Sequence, residues 1–275
     1  MSNVDTGSRA RRKGRAVLSI ERLGVTFPTD AGPKPVLTDV SLDVHADEFV
    51  CIVGPSGTGK TTLIRCISGL AHATEGTVRL DGQPVTEPPQ RLALVSQDYS
   101  RSLMPWLRVD DNVRLPLNGK GIPRADVSRR VEESLAAVNL AKAGRAYPWQ
   151  LSGGMQQRVA IARALAYQPE VLVMDEPFAS VDAQTRAELE DLILRLQRQT
   201  AMTILLVTHD IEESVYLADR VIVLGGSPAT IHHELEVALG NDRDQLTTKS
   251  QPEFVNYRAE VLTSIREARA IAAPQ

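Results

Sequence analysis

Phe49-Val-Cys-Ile-Val-Gly54-Pro55-Ser56-Gly57-Thr58-Gly59-Lys60-Thr61-Thr62 is the stretch on which the fold turns. It opens with an unbroken apolar run, stopped by Gly54, which reads as a strand buried on both faces. After Lys60 the period changes: Leu63, Ile64, Ile67 and Leu70 recur at helical spacing until Gly69 and a polar stretch stop the pattern. Between strand and helix lies G-x-x-x-x-G-K-[ST], in the context that motif requires. Its glycines let successive backbone N–H groups turn inward, and the helix starting at Lys60 adds the positive end of its dipole. Such a loop cradles phosphates. Lys60 then bridges the β- and γ-phosphates, Thr61 ligates Mg2+, and Thr62 continues the cradle.

Outward from this loop, LSIERLGVTF and VLTDVSLDV before it, and GTVRLDG and RLALVSQ after it, read as strands separated by turns. From Gln97 to about Gln168 the β signal gives way to helical patterns, notably over 124–141 and 155–166, bounded by prolines. Strands return in VLVMDEP (171–177), TILLVTHD and RVIVL, with helical spacing over 183–199 and 211–219 between them. Alternation of this kind indicates a parallel sheet with crossover helices. Residues 229–237 read as a strand, 240–252 as a polar loop and 253–270 as an amphipathic helix. No internal repeat is present.

Composition bounds the remaining options. The 275 residues carry a net charge of −3, with 24% charged and 43% hydrophobic residues, as in an ordinary globular chain of one or two domains. Cys51 and Cys66 have no CxxC partner or neighbouring His, which excludes a disulfide scaffold and the common zinc patterns and fits a reducing compartment. No apolar run approaches the ~20 residues of a spanning helix, and no signal peptide is expected. The near-neutral balance argues against bulk electrostatic binding of nucleic acid. Residues 1–16, with five basic residues against Asp5, are expected to form a disordered, solvated tail; contact with anionic lipid is the alternative. His232 and His233 should alternate sides of a strand, without a third ligand for a metal.

VLVMDEP ends in two carboxylates. Asp175 is placed to hold the Mg2+ shell. Glu176, one residue beyond, is placed to polarise a water in line with the γ-phosphate. Leu151-Ser-Gly-Gly-Met-Gln-Gln-Arg158 runs directly into a helix, so Ser152, Gly153 and Gly154 offer a second N-terminal phosphate site.

LSGGMQQR resembles the signature motif of ATP-binding cassette (ABC) ATPases, and further elements follow in that family's order. Gln97 resembles the Q-loop glutamine, Ser180-Val181-Asp182 the D-loop, His209 the switch histidine, and Phe27 the aromatic that stacks on adenine. The resemblance covers roughly residues 17–225. It implies an α/β fold with a RecA-like P-loop NTPase core, an antiparallel β subdomain and an inserted α-helical subdomain. The expected division is a cassette over 17–226 with its helical subdomain at about 98–168, then a short strand and helix over 227–275. ATP and Mg2+ are the implied cofactors, with Gln97 sensing the metal and the γ-phosphate. Two cassettes pack head to tail in the family, so Ser152 and Gly154 of one copy would cap the γ-phosphate on Lys60 of the other, and Asp182 counts among the nucleotide-binding residues. Met155, Val181 and Phe27 replace the usual Gln, Leu and Tyr; none removes a phosphate donor or metal ligand, but Met155 lacks a side-chain amide. As a single aromatic near a turn, Phe27 also fits the core.

Asp98-Tyr-Ser-Arg-Ser-Leu-Met-Pro-Trp106 and the tail QPEFVNYRAEVLTSI resemble segments of nitrate/sulfonate/taurine-type importers. That likeness implies a homodimer beneath two permease subunits, with a periplasmic or lipid-anchored binding protein, working peripherally on the cytoplasmic face of the membrane. The helical lobe would receive a permease helix; Leu103, Met104 and Trp106 fit equally a packed interior. The solute would be a small anion such as nitrate or an alkanesulfonate, or a pyrimidine vitamin precursor. A soluble cassette ATPase of repair or translation is the alternative, but this chain has one phosphate loop and no sustained heptads. A small-molecule P-loop kinase leaves LSGG and His209 unexplained.

Overall fold

The computed structural model describes residues 14–98, 102–179 and 181–272. The expectations placed on the tail up to Lys13, on Tyr99, Ser100 and Arg101, and on Ser180 lie outside the described residues. The strands are β1 (Ala16–Thr29), β2 (Gly32–His45), β3 (Phe49–Val53), β4 (Glu75–Leu80), β5 (Gln83–Pro84), β6 (Leu92–Val95), β7 (Val171–Asp175), β8 (Thr203–Val207), β9 (Arg220–Gly226) and β10 (Ala229–Glu236). They form one sheet in the order β5-β4-β1-β2-β10-β9-β3-β8-β7-β6. The helices are α1 (Lys60–Ile67), α2 (Val109–Arg114), α3 (Arg124–Ala137), α4 (Gly153–Ala166), α5 (Ala183–Thr200), α6 (Ile211–Leu217) and α7 (Pro252–Ala272).

The run from Phe49 to Val53 is the centre of a parallel array, with β9 on one side and β8, β7 and β6 on the other. All five of its residues are buried. Its side chains alternate between two cores, as the twofold strand period requires. Val50 and Ile52 join Leu63, Ile64 and Ile67 of α1 on one face. Phe49, Cys51 and Val53 face the core under α4, α5, α6 and α7. The continuous apolar runs therefore arise because helices cover both faces of these strands. On α5 the stripe Leu189, Leu192, Ile193 and Leu196 supplies the helical contribution, and on α7 Phe254, Val261, Ile265 and Ala268 do so.

β1, β2, β4 and β5 pair antiparallel. They join the parallel array through the single pairing of Ala229 with Leu37. Between β6 and β7 the chain leaves the sheet for the helical lobe of α2, α3 and α4. Buried Asn112 fixes its entry turn: Nδ2 donates to the Met104, Leu107 and Arg108 carbonyls, and Oδ1 accepts from the Met104 N–H at 2.8 Å. Leu103 is buried beneath that turn, whereas Trp106 is 71% exposed. The packed-interior reading therefore holds for Leu103 and not for Trp106.

Three expectations change. The period starting at Leu63 does not extend to Leu70, because Gly69 adopts φ 67° just after α1 and turns Leu70 into solvent. The tail expected through residue 16 gives way earlier to the sheet: Ala16 opens β1 and Arg15 pairs with Asp81 at 3.0 Å. His232 and His233 do not alternate. A bulge between Ile231 and His233 turns both toward α7, where His232 meets Glu267 at 3.6 Å and His233 meets Glu260 at 3.1 Å.

Phe49→Ala should cost about 3–5 kcal/mol of unfolding free energy, as emptying a large core site does, whereas Trp106→Ala should stay within about 0.5 kcal/mol. Urea unfolding followed by circular dichroism measures both.

Candidate functional site

β3 ends at the phosphate loop, and two glycines there are required by close approach. A Cβ on Gly54 would lie 2.5 Å from the Leu224 carbonyl oxygen of β9. Gly59, at φ 80°, would carry a Cβ 2.8 Å from Val36 and 2.9 Å from Leu37 of β2. The loop is thus wedged between the two parts of the sheet. Thr58, buried, donates its hydroxyl to the Pro55 carbonyl at 2.8 Å, while Ser56 and Gly57 form the exposed crest. No side chain caps α1, so its dipole end and leading N–H groups face the loop's concavity.

Lys60 is buried and donates Nζ to the carbonyls of Gly54 (2.8 Å) and Pro55 (2.9 Å). Burial holds its pKa below the ordinary lysine value, opposed by the charges of Glu176 and Asp175. Asp175 lies at the end of β7, where burial raises its pKa against a hydrogen bond from Thr61 and the charge of Lys60. Thr61 and Asp175 therefore bring two hard oxygen donors together beside the cradle, the ligand type a small divalent cation takes. Thr62, half-buried, lies in the first turn of α1.

Glu176 has φ 44°, a left-handed conformation that costs a non-glycine residue about 1–3 kcal/mol. Its N–H donates to the Val207 carbonyl at 2.8 Å, which anchors the bend to β8. The bend aims the carboxylate along the ends of the strands. Gln97 Nε2 donates to Glu176 Oε2 at 2.9 Å, and His209 Nδ1 lies 3.2 Å from the same oxygen. Asp210 caps α6: it accepts from the Glu213 N–H at 3.1 Å, donates its own N–H to Thr208 Oγ1 at 3.0 Å, and pairs with Arg186 at 3.0 Å. This clamp flanks the exposed His209 on both sides.

At α4, Ser152 accepts from the Met155 N–H at 3.3 Å. Gly153 is exposed beside it. A Cβ on Gly154 would lie 2.3 Å from Thr185 Cγ2, so the start of α4 fits against α5 only as glycine. Asp182 caps α5, accepting from the Thr185 N–H at 3.0 Å and the Thr185 hydroxyl at 2.7 Å. These bonds hold the Asp182 carboxyl below the usual range. Met155 packs against the helical-lobe core. Phe27, on β1 opposite Lys34, is 43% exposed, which removes the core reading.

Two residues outside the expected set tie these pieces together. Thr185 joins the α4 and α5 N-termini. Arg163, near the other end of α4, donates to the Ser102 carbonyl at 2.6 Å and hydroxyl at 2.8 Å, beside the segment that follows Gln97. Neither carries a local signal, since each is recognisable only by a partner distant in sequence.

Residues 37–179 match the family described as ABC transporter. The nitrate import ATP-binding protein NrtD of Synechococcus elongatus is 42% identical, covering 89% of this chain and 90% of that protein. The taurine import ATP-binding protein TauB of Chromobacterium violaceum is 39% identical, covering 91% of this chain and 96% of that protein. Among solved structures, a dimeric post-hydrolysis state of an ATP-binding cassette bound to ADP and Pi superposes with a TM-score of 0.71 at 30% identity, covering 80% of this chain and 99% of the other.

Gly154→Ala should destabilise the chain by about 1–3 kcal/mol through overpacking. Thr185→Ser in the same chain removes the opposing methyl, keeps the hydroxyl, and should restore most of the loss. A thermal-melt cycle in which the second change gives no recovery contradicts the contact.

Proposed function

The chain belongs to the ABC transporter family, and on that footing we propose that it is the ATP-binding and ATP-hydrolysing subunit of a solute importer. The observation that carries this reading is the convergence of Gln97 and His209 on one oxygen of Glu176, beside the Lys60 cradle. A cradle alone binds nucleotide; a carboxylate held by two polar side chains next to it can also activate a water.

In this reading the backbone N–H groups between Gly54 and Thr62, with Pro55 buried at the turn and Ser56 on the crest, enclose the β- and γ-phosphates. Lys60 would exchange its carbonyl bonds for phosphate oxygens, gaining a charge-assisted contact. Thr61 and Asp175, with Gln97 alongside, would hold Mg2+, whose role is to neutralise phosphate charge. Glu176 would take a proton from the attacking water, and His209 would steady that water and the γ-phosphate. Phe27 offers an exposed ring for adenine, and such stacking is worth about 1–3 kcal/mol elsewhere.

Ser152, Gly153, Gly154 and Asp182 serve a second copy of the chain. They form the joined α4 and α5 ends, which contact each other through Thr185 rather than the cradle's neighbours Val36, Leu37 and Leu224. Closure of two copies on ATP would then move the helical lobe, whose exposed Trp106 and Trp149 offer a surface for a permease. Trp149 stacks on Tyr147 at 5.9 Å, with Arg108 over the Tyr147 ring.

Two integral-membrane permease subunits and an external binding protein complete the proposed assembly, with this chain on the cytoplasmic face. Among the described residues no helix is long and apolar enough to cross a membrane, so the pathway is assigned to those partners. The relatives named for nitrate and taurine import favour a small anion as the solute. They also favour transport over the repair or translation alternative, because the likeness spans about nine-tenths of each chain.

Glu176→Gln should lower ATP turnover by about a hundredfold or more, since general-base catalysis contributes roughly 10²–10⁴, while leaving fluorescent-ATP binding intact. Normal turnover by that variant sinks the mechanism. Lys60→Ala should weaken nucleotide affinity in the same titration. Purification from membranes should recover a permease; ribosomes or DNA in its place would favour the alternative.

A further inference from the structure

Glu176 and His209 line a small cavity together with residues that the hydrolytic reading leaves without a role. Its polar wall is formed by Glu176, Arg186, Thr208, His209, Asp210 and Glu213, and its volume is about 10 Å3. That is the scale of one water molecule, and the lining supplies the several polar partners a buried water needs.

Glu213, in the first turn of α6, is only 3% exposed, and its Oε1 has no hydrogen-bond partner among the described residues. Thr208 hydrogen-bonds to the carboxyl. A buried polar atom without a partner is rare in folded proteins and calls for a reason. Arg186 is the cation facing it; one Nη of that guanidinium is paired with Asp210 at 3.0 Å, and its buried Nε has no hydrogen-bond partner among the described residues. From α5, Glu190 adds like charge, itself offset by Lys249 at 3.4 Å; Asp210 adds more from the β8–α6 turn. Beneath, on β3, the Cys51 thiol also feels Glu213, together with Arg243 and Asp219. Burial first, then these two acids, push Glu213 up to about 8.

We infer that Glu213 is a positioning residue for hydrolysis: its carboxyl, as a neutral acid, holds one water in this cavity, and that water steadies Glu176 and His209 from behind. The inference rests on Glu176 being the water-activating carboxylate. A neutral carboxyl has an O–H to donate into the cavity, leaving the water's hydrogens for Glu176 and its neighbours. An ionised Glu213 donates nothing and places a second negative charge behind Glu176, which competes for His209 and turns the base away from the phosphate.

The test is ATP turnover by the full-length chain from pH 6.5 to 9.5. Glu213→Gln copies the neutral acid, so it should match the wild type near pH 7. At pH 9, one unit above a pKa of about 8, roughly a tenth of wild-type Glu213 keeps its proton, and the variant should turn over about tenfold faster. Glu213→Met, similar in size but without a donor, should lose several-fold in kcat at pH 7 with fluorescent-ATP affinity unchanged.

Thermal melts give an independent readout. The folded pKa lies above the ordinary 4.5, so the folded chain binds the Glu213 proton more tightly than the unfolded chain, and wild-type stability falls as pH rises from about 4.5 to about 8. The Tm of Glu213→Gln relative to wild type should therefore climb across that window. Parallel pH–rate profiles, a flat Tm difference, or a Met variant with full kcat would each overturn the inference. So would a Gln variant that fails to fold, because the amide preserves the neutral shape. Glu176→Gln separates the two levels: if it hydrolyses ATP normally the underlying reading fails, and if it is inactive while the profiles of Glu213→Gln and wild type stay parallel, only the role of Glu213 fails.

Discussion

Four parallel strands end in step, and the chemistry depends on that register. Val95 pairs with Met174, while Asp175 and Ile52 both pair with Val207. Two residues beyond Val95, Met174, Val207 and Ile52 come Gln97, Glu176, His209 and Gly54. Gln97 and Glu176 stand in one row at the sheet's carboxyl edge and His209 and Gly54 in the next, one residue further along, where α/β sheets bind ligands. A slip of one residue in any strand would exchange its two faces and carry its edge residue away from the others. Both faces are packed by helices, so such a slip would also expose apolar side chains to the wrong core. The packing that stabilises the sheet thereby sets the distances at the site.

Most of this was legible in the sequence because it rests on short-range pattern. FVCIV, VLVMD and TILLV are continuous apolar runs, and a strand covered on both faces has no reason to alternate. The glycines of the phosphate loop are legible for a related reason: Gly54 and Gly59 are positions where another strand's backbone or side chains leave no room for a Cβ. What failed were statements about single residues at the ends of patterns. Leu70 continues a helical spacing, but the left-handed Gly69 ends the helix first. His232 and His233 lose their alternation to one extra residue in β10, and a bulge has no composition signal here.

Thr185, Arg163 and Glu213 were illegible for a different reason. Each has an ordinary local role: Thr185 follows a helix cap, Arg163 sits on an amphipathic helix, and Glu213 is an acid in the first turn of α6, where the dipole favours one. Their significance comes from what the tertiary fold sets against them. Glu213 would be commonplace on a surface helix; α6 is pressed between β3 and α5, and the same acid becomes a buried, half-satisfied group beside Glu176. Glu176 shows the reverse case. Its position after a buried strand was readable, whereas its left-handed backbone was not, since that bend is held by a bond to Val207 on another strand.

The helical lobe gains its mechanical meaning from α4. Eleven residues separate Ser152 from Arg163, so at 1.5 Å per residue the two lie roughly 16 Å apart on one rigid rod. At its start the rod meets α5 through Gly154 and Thr185, and near its far end Arg163 grips Ser102 by two short bonds. Ser102 is five residues beyond Gln97, which contacts Glu176 directly. In the proposed mechanism, a displacement of Gln97 toward a phosphate has a short chain path to Ser102 and so to Arg163. The guanidinium is half-buried, and burial lowers its pKa, so leaving Ser102 would cost it two of the bonds that compensate that desolvation. A pull on Arg163 would then act on α4, which carries Ser152 at its start. On the proposed function, that rod would connect the Glu176 site with the surface offered to a second copy of the chain.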